Sequence, residues 1–179
     1  MTGWDTTFLS VARLRPRRLR EVMLRGEPPV AENLVGWEYR GINLPATSAL
    51  IGLRRFIKGF TLDEASPALG YNKLVKGTDL TSAWIPTVRP NGRAAYAPFA
   101  VGTVDPESTD NRFLNALLLD YSAAPVPERG VAARLRDYIV RVVPGSDDVL
   151  LGQAFMALGR ARIPLGWFVL ERLGPADPA

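Results

Sequence analysis

The sequence VLLGQAFMALGRARIPLGWFVLER, residues 149–172, decides the fold class of this 179-residue chain. Two runs rich in aliphatic and aromatic residues, 149–158 and 163–172, flank the short link from Gly159 to Arg162. Each run has the length of a strand, and the link is too short for a crossover between parallel strands. The stretch therefore predicts two antiparallel strands joined by a tight turn.

Strand-like runs of the same kind recur along the chain. Between Val35 and Ile42 the side chains alternate, so that Trp37 and Tyr39 share one face of a strand. Turn-forming residues separate the runs, most clearly at 89–93, where proline fixes φ and Asn-Gly favours positive φ. The other predicted strands cover 55–60, 70–76, 81–88, 94–104, 113–121 and 138–143. The fold class is therefore predicted as mainly β (α+β), an antiparallel rolled sheet or barrel of about eight to nine strands.

Helices are predicted chiefly near the N-terminus. Residues 5–25 are expected to form two helical pieces separated by Pro16, because proline fits a first helical turn and breaks a helix interior. In the second piece Leu19, Val22 and Met23 recur at helical spacing. We expect this apolar face to pack on the sheet.

A short helix is also expected at 46–54, where Ala49, Leu50 and Leu53 share one side. One or two helical turns are expected at 130–136, where apolar residues and an arginine pair suit a surface helix. No repeat or linker divides the chain. We therefore expect one domain over 1–174, followed by a flexible tail over 175–179, which is rich in proline and alanine.

Composition restricts the chemistry more than any motif does. The chain has no His and no Cys, which excludes Ser-His-Asp and Cys-His nucleophile pairs, His- or Cys-based zinc sites, iron–sulfur clusters and disulfides. Glycine-rich phosphate-binding motifs are also absent from the sequence. We therefore predict no cofactor and no metal site. Any chemistry has to use carboxylates, Tyr, Lys, Ser, Thr, Arg or the backbone.

The net charge of +4 is concentrated at one end of the chain. Residues 1–25 hold six arginines against Asp5 and Glu21, whereas the remaining residues are balanced in charge. Such an arm can be a solvated helix face, or it can contact an anionic membrane surface or an acidic protein. The arginines proposed for that contact are Arg13, Arg17, Arg18 and Arg20. Nucleic acid is not favoured as a partner, because the predicted sheet is charge-balanced and its aromatic residues stand beside aliphatic ones.

The sequence contains no secretory signal pattern, and no apolar run approaches the roughly 18 residues of a membrane-spanning helix. We therefore expect a soluble protein in the cytoplasm.

The segment Gly36-Trp37-Glu38-Tyr39-Arg40-Gly41, at the start of the first strand and after a helical segment, resembles the Gly-x-Trp opening of lipocalin-like (calycin) barrels. Arg172, after the last strand, is similar to the basic residue that packs across that tryptophan in the family. The resemblance implies an antiparallel barrel with an apolar cavity. The chain departs from the family in the helix expected after the first strand, in having no disulfide and in lacking an evident C-terminal helix. The haem-binding relatives that use a His ligand are excluded.

Isolated polar residues and aromatic residues are the candidates for ligand contacts. Asn115, Asp120 and Gln153 interrupt apolar runs, and a buried polar group needs a hydrogen-bonding partner. That partner could be a neighbouring strand or loop, and Asp120 could cap a strand end. Alternatively, these residues are the few polar groups of an apolar cavity that binds a hydrophobic small molecule or lipid-like metabolite. The candidate ligand-binding residues are Trp37, Tyr39, Tyr71, Tyr96, Asn115, Gln153, Phe155 and Trp167.

Two other functions remain open at this point. A cofactor-free enzyme of the isomerase or cyclase type could use the same cavity with one acid or base. Its candidate catalytic residues are Asp120, Tyr121, Tyr39, Glu38 and Lys58. A peripheral adaptor could instead dock through the basic helix at 13–25.

Overall fold

The protein is a closed barrel of eight antiparallel strands in chain order, described by a computed structural model over residues 7–63, 66–125 and 130–178. Each strand pairs with the next, and the last pairs with the first. The strands are β1 (Trp37–Asn43), β2 (Arg55–Asp63), β3 (Ser66–Leu74), β4 (Ala95–Thr103), β5 (Leu117–Asp120), β6 (Leu135–Arg141), β7 (Val149–Leu158) and β8 (Ala161–Pro175). The predicted mainly β, antiparallel barrel is confirmed.

The predicted hairpin at 149–172 forms the longest ladder of the barrel. Its register runs from Val149 opposite Glu171 to Leu158 opposite Ala161, and Gly159 adopts a φ of +57° in the turn. β8 then pairs along its other side with β1, from Pro175 opposite Trp37 to Phe168 opposite Asn43. This pairing closes the sheet, so the eight strands leave no long unpaired edge.

Within the described residues, four short α-helices and one 3-10 helix accompany the barrel. Pro16 occupies the first turn of the second helix, as predicted, and residues 5 and 6 of the predicted helical stretch lie outside the described residues. The helices are α1 (Phe8–Ala12), α2 (Pro16–Arg25), α3 (Ala31–Leu34) and α4 (Pro45–Ile51), and the 3-10 helix covers Ala132–Arg134.

The strands bury side chains on both faces, in two separate hydrophobic clusters. In β8, Phe168 and Leu170 belong to the cluster inside the barrel, whereas Val169 between them belongs to a cluster on the outer face. Leu19 and Met23 of α2 belong to that outer cluster and are buried. The strands are apolar on both faces because side chains pack inside the barrel and a helix packs against its outer face.

The predicted strand at 81–88 is wrong, so the barrel has eight strands. This segment is a loop that makes one isolated bridge, between Val75 and Pro86. The carboxylate of Asp79 accepts hydrogen bonds from the backbone and hydroxyl of Thr81, which folds the chain into a turn. Trp84 packs under Arg55, whose guanidinium carbon lies 4.0 Å from the ring centroid. Trp84 is therefore positioned by this side-chain contact and not by pairing of its backbone in a strand.

Two predicted elements are shorter than expected. The strand predicted at 113–121 is restricted to 117–120, because Ala116 N donates to Phe113 O in a turn. The helix predicted at 130–136 is a single 3-10 turn. After it, Leu135 already begins β6, three residues before the predicted strand at 138–143.

Two features at the ends of the barrel bear on the sequence predictions. Arg172 stacks on Trp37, with its guanidinium carbon 4.7 Å from the ring centroid, which is the contact that the lipocalin-like pattern implies. The tail predicted at 175–179 begins inside the fold, because β8 extends to Pro175 and Ala176 N donates to Gly36 O.

Candidate functional site

One end of the barrel interior holds a cavity of about 610 Å³. Most of its wall is apolar, and α4 and the 3-10 helix contribute to its rim. The residues that line it are Asn43, Thr47, Leu53, Phe56, Lys58, Asn72, Leu74, Tyr96, Ala97, Tyr121, Val131, Ala132, Leu135, Asp137, Ala154, Met156, Leu165 and Phe168. The rest of the interior is occupied by side chains of the inner cluster, such as Leu34, Phe60 and Leu150.

Four polar side chains meet in this cavity wall and are hydrogen-bonded to one another. We call Lys58, Asn72, Tyr121 and Asp137 the polar quartet. The ammonium of Lys58 donates to Asn72 Oδ1 at 2.9 Å, to the Tyr121 hydroxyl at 2.7 Å and to Asp137 Oδ2 at 3.1 Å. The Tyr121 hydroxyl in turn donates to Asp137 Oδ2 at 3.0 Å. An ammonium has three N–H bonds, and each has an acceptor here.

Strand register explains why these four residues meet. Lys58 of β2 is directly opposite Asn72 of β3, and it shares its face with Phe56 and Phe60 because side chains alternate. Asp137 lies between Leu135 and Ile139 on the inner face of β6. Tyr121 follows the last residue of β5, whose neighbour across the ladder is β6.

Aromatic rings surround the Lys58 ammonium on its other sides. Its nitrogen lies 4.6 Å from the ring centroid of Phe99 and 5.2 Å from that of Tyr121. The centroids of Phe168 and Phe56 are 5.6 Å and 5.7 Å away. Ring faces attract cations, so they partly replace the water that this buried charge has lost.

Burial governs the protonation of the quartet. Desolvation lowers the pKa of Lys58 below its ordinary value, although the Asp137 carboxylate opposes this by favouring the ammonium. Desolvation also raises the pKa of Tyr121 well above its ordinary value, and the adjacent Asp137 charge adds to the increase. Tyr121 therefore remains a neutral hydroxyl at physiological pH and acts as a hydrogen-bond donor to Asp137.

Of the residues predicted from sequence, Lys58, Tyr121 and Tyr96 lie at the cavity. Tyr39 lies in the inner cluster but outside the cavity lining, and its hydroxyl donates to Asp147 O at 2.9 Å. Asp120 accepts from Ser122 N at 2.8 Å and pairs with Arg136. It therefore caps the end of β5, which was one of its two predicted roles.

The other predicted residues are held in structural contacts away from the cavity. Gln153, Phe155 and Trp167 alternate with the inward-facing Ala154 and Phe168, which places them on the outer face. The Asn115 amide donates to the carbonyls of residues 23 and 26 at the end of α2.

A second buried polar group lies on the outer face of β1 and β3. The Tyr71 hydroxyl donates to Glu38 Oε1 at 2.7 Å, and the Lys73 ammonium lies 3.1 Å from the same oxygen. Trp37 is partly exposed beneath Arg172. Neither Glu38, Tyr71 nor Trp37 lines the cavity.

The sequence-based prediction missed Asn72 and Asp137, which complete the quartet. Asp137 was missed because the strand was predicted to begin at 138, whereas β6 begins at Leu135. A carboxylate between Leu135 and Ile139 at period two is nevertheless a signal for a buried charge. Asn72 lay inside a predicted strand, but nothing in its local pattern distinguishes it from a solvent-facing residue.

Most of the arginines in the basic N-terminal segment, residues 13–25, have exposed side chains. Arg13, Arg17 and Arg20 are exposed, and Arg18 is paired with Glu21 one helical turn away. Contact with an anionic membrane or an acidic protein stays a prediction.

No family model, curated protein or solved structure matches the chain. Within residues 7–63, 66–125 and 130–178, no helix has the length and apolar character needed to cross a membrane. The same residues contain no group of three or more acidic side chains suited to holding a metal ion.

The stability of the barrel is expected to fall above pH 10 because of buried tyrosines such as Tyr39. Burial raises the pKa of Tyr39 to about 12 from 10.0. Because the pKa of Tyr39 is higher in the folded state, its contribution to the free energy of unfolding is fully present below pH 10, the pKa of the unfolded chain. This contribution of about 2–3 kcal/mol is lost as the pH rises from 10 to 12. Urea unfolding from pH 9 to pH 12 should therefore show a smaller decline for Tyr39→Phe than for the unsubstituted protein. Equal declines would contradict this assignment.

Proposed function

We propose that the chain binds a small, largely apolar molecule inside the barrel, with a hydrogen-bonding end of that molecule at the polar quartet. The supporting observation is a cavity of about 610 Å³ with an apolar wall and four convergent polar side chains. Binding sites for small molecules typically measure about 300–1,000 Å³ and combine an apolar lining with a few placed polar groups. The lipid-like ligand class of the sequence-based prediction is retained in this proposal.

Charge balance within the quartet favours a ligand that is neutral overall. The Lys58 ammonium already has its counter-charge in Asp137, so a further buried ionic group would be uncompensated. Among the described residues, Lys58 and Tyr121 donate hydrogen bonds to the Asp137 carboxylate, and Oδ2 accepts both of them. Its Oδ1 therefore retains the capacity to accept a hydrogen bond, for example from a ligand hydroxyl.

A lipocalin-like relationship is part of this proposal. The barrel has eight antiparallel strands, and Arg172 covers Trp37 at the start of β1. The helix α4 after β1 is a departure from the family pattern, and it contributes Thr47 to the cavity rim.

The proposal is tested with the neutral apolar dye Nile red. Ala154→Trp places a large ring in the cavity and is expected to weaken dye binding by about tenfold or more, which corresponds to about 1.4 kcal/mol. Ala157→Trp, three residues later on the outer face of β7, is the matched control and should leave the dissociation constant within about twofold. Fluorescence titration gives both values. Equal effects of the two substitutions, or no saturable binding by the unsubstituted protein, would overturn the proposal.

A cofactor-free enzyme that uses the same cavity is the second candidate. It is favoured by one observation, the contact of an amine, a phenol and a carboxylate in Lys58, Tyr121 and Asp137. Such a set can supply a nucleophile and move protons next to a bound molecule.

A further inference from the structure

Lysine is rare in this chain, and one of its three lysines lies at the cavity. Lys58 lines the cavity and is almost completely buried, whereas Lys73 and Lys76 are absent from the lining. Lys73 is equally well buried and is also paired with a carboxylate, Glu38, at 3.1 Å. It lies beside Tyr71, outside the cavity. The two lysines thus differ in access to the cavity more than in burial or charge partner.

We propose that Lys58 is a nucleophile that captures an aldehyde or ketone group of the bound molecule as an imine. This inference rests on the proposed function, because the carbonyl compound has to occupy the cavity. It specifies the ligand class as carbonyl compounds with an apolar body. It also assigns to Lys58 a covalent role, to Asp137 the role of proton acceptor and counter-ion, and to Tyr121 the role of proton relay.

The step balances without any redox partner. Asp137 takes one proton from the ammonium, and the free amine adds to the carbonyl carbon. A C–N bond forms, the C=O π bond opens, and a second proton moves from the nitrogen to the carbonyl oxygen. The resulting carbinolamine loses its hydroxyl, protonated through Tyr121 and Asp137, as water. The products are one protonated imine and one water molecule, formed from one ammonium and one carbonyl group. No electron is gained or lost overall.

The surroundings of Lys58 suit both ends of this step. The protonated imine carries the same single positive charge as the ammonium, so Asp137 remains its counter-ion and the charge balance of the interior is unchanged. The rings of Phe99 and Phe168 that face the ammonium also face the imine nitrogen.

Proton transfer is the usual requirement for imine formation, and the quartet supplies it at the reacting nitrogen. The Tyr121 hydroxyl lies 2.7 Å from Lys58 Nζ and 3.0 Å from Asp137 Oδ2, so it links the base to the site where water leaves. Desolvation lowers the pKa of Lys58, which increases the fraction of free amine available for attack.

The experiment traps the imine by reduction. The full chain is incubated with hexanal, trans-cinnamaldehyde or decanal and sodium cyanoborohydride, and the modified lysines are located by peptide mass mapping. At least one aldehyde is expected to modify Lys58 about tenfold faster than Lys73 or Lys76, because the cavity concentrates the aldehyde beside Lys58. Lys73→Arg should leave the rate at Lys58 unchanged, whereas Lys58→Arg should abolish the cavity adduct.

Asp137→Asn provides a readout that simple burial of Lys58 would not move. With cinnamaldehyde, the unsubstituted protein should show the red-shifted absorbance of a protonated conjugated imine. The neutral amide introduced by this substitution cannot serve as a counter-ion, so the buried imine should lose its proton. The band should therefore shift to the shorter wavelength of the neutral imine, and the imine should form more slowly. Lys58→Met combined with Asp137→Asn removes both charges and serves as an adduct-free reference if Lys58→Arg does not fold.

The outcomes separate this inference from the proposed function. Hexanol, cinnamyl alcohol and decanol have the same apolar bodies but form no imine, and their competition with Nile red reports occupancy of the cavity alone. If the alcohols compete and no aldehyde modifies Lys58 preferentially, the imine inference is overturned and the binding function stands. If neither alcohols nor aldehydes enter the cavity, both are overturned.

Discussion

Asp137→Ala is expected to lower the free energy of unfolding by about 3–5 kcal/mol, because it leaves the buried Lys58 ammonium without its carboxylate. The two side chains are only 2% and 7% exposed, so water cannot compensate for the missing partner. The loss also removes the acceptor of the Tyr121 hydroxyl, which is itself buried. Urea unfolding followed by tryptophan fluorescence measures the effect.

Asp148→Ala is the matched control for this substitution. Asp148 also pairs with a cation, Arg172, at 3.3 Å, but its side chain is 68% exposed. Solvent screening limits such a pair to about 0–1 kcal/mol. If Asp137→Ala costs no more than Asp148→Ala, the buried ion pair does not stabilise the fold as described.

A double variant distinguishes the cost of leaving one buried charge unpaired from the cost of removing both charges. Lys58→Met combined with Asp137→Asn removes both charges, so no unpaired ion remains in the interior. It is expected to be more stable than Asp137→Ala alone by at least about 1 kcal/mol, although it lacks more native hydrogen bonds. A double variant less stable than the single one would mean that hydrogen bonding, and not charge pairing, dominates at this site.

The barrel could be predicted from sequence because its signals are local. The 149–172 hairpin has two long runs and a short link. The turn at 89–93 is also confirmed, with Gly92 N donating to Arg89 O at 2.9 Å and Gly92 at a φ of +77°. Period and turn chemistry depend on neighbouring residues alone, so they can be recognised without knowledge of the tertiary structure.

The inner face of the strands could not be predicted in the same way. In β7 both Leu150 and Leu151 are fully buried, one in each cluster, because helices cover the outer face. Alternation shows which residues share a face but not which face is interior. One residue did carry the missing information: a Cβ on Gly152 would lie 2.1 Å from the Phe168 ring, so glycine marks where an inward ring crosses the strand.

The polar quartet depends on contacts between residues far apart in sequence. Lys58 and Asp137 are 79 positions apart, and only closure of the barrel brings them to 3.1 Å. Lys58 was among the candidate acids and bases of the cavity, but its partner could not be inferred from spacing. The site therefore follows from strand register, which a single sequence does not specify across five strands.

Gly70→Ala is expected to destabilise the barrel by about 1–3 kcal/mol through overpacking. A Cβ at this position would lie 2.1 Å from two carbon atoms of the Phe99 ring and 2.7 Å from the Gly59 carbonyl oxygen. The ring cannot withdraw easily, because Phe99 is fully buried and its centroid lies 5.8 Å from that of Phe60 and 5.2 Å from that of Tyr121.

Backbone preference cannot account for such a loss. Gly70 is not among the glycines with positive φ, so alanine is compatible with its conformation and would by itself favour the strand by about 0.5–1 kcal/mol. Gly102→Ala in β4 is the control, because a Cβ there meets no atom within 4 Å. It should be neutral or slightly stabilising in the same urea measurement.

Displacement of the Phe99 ring should also change the surroundings of Lys58 in the polar quartet. Its ring is the one nearest to the Lys58 ammonium, at 4.6 Å, so a steric shift moves the wall that faces this charge. Phe99→Leu combined with Gly70→Ala relieves the clash and is expected to recover part of the stability without restoring the aromatic contact. If Gly70→Ala is as stable as the unsubstituted protein, the ring has room to move, and the close packing around Lys58 is looser than these distances imply.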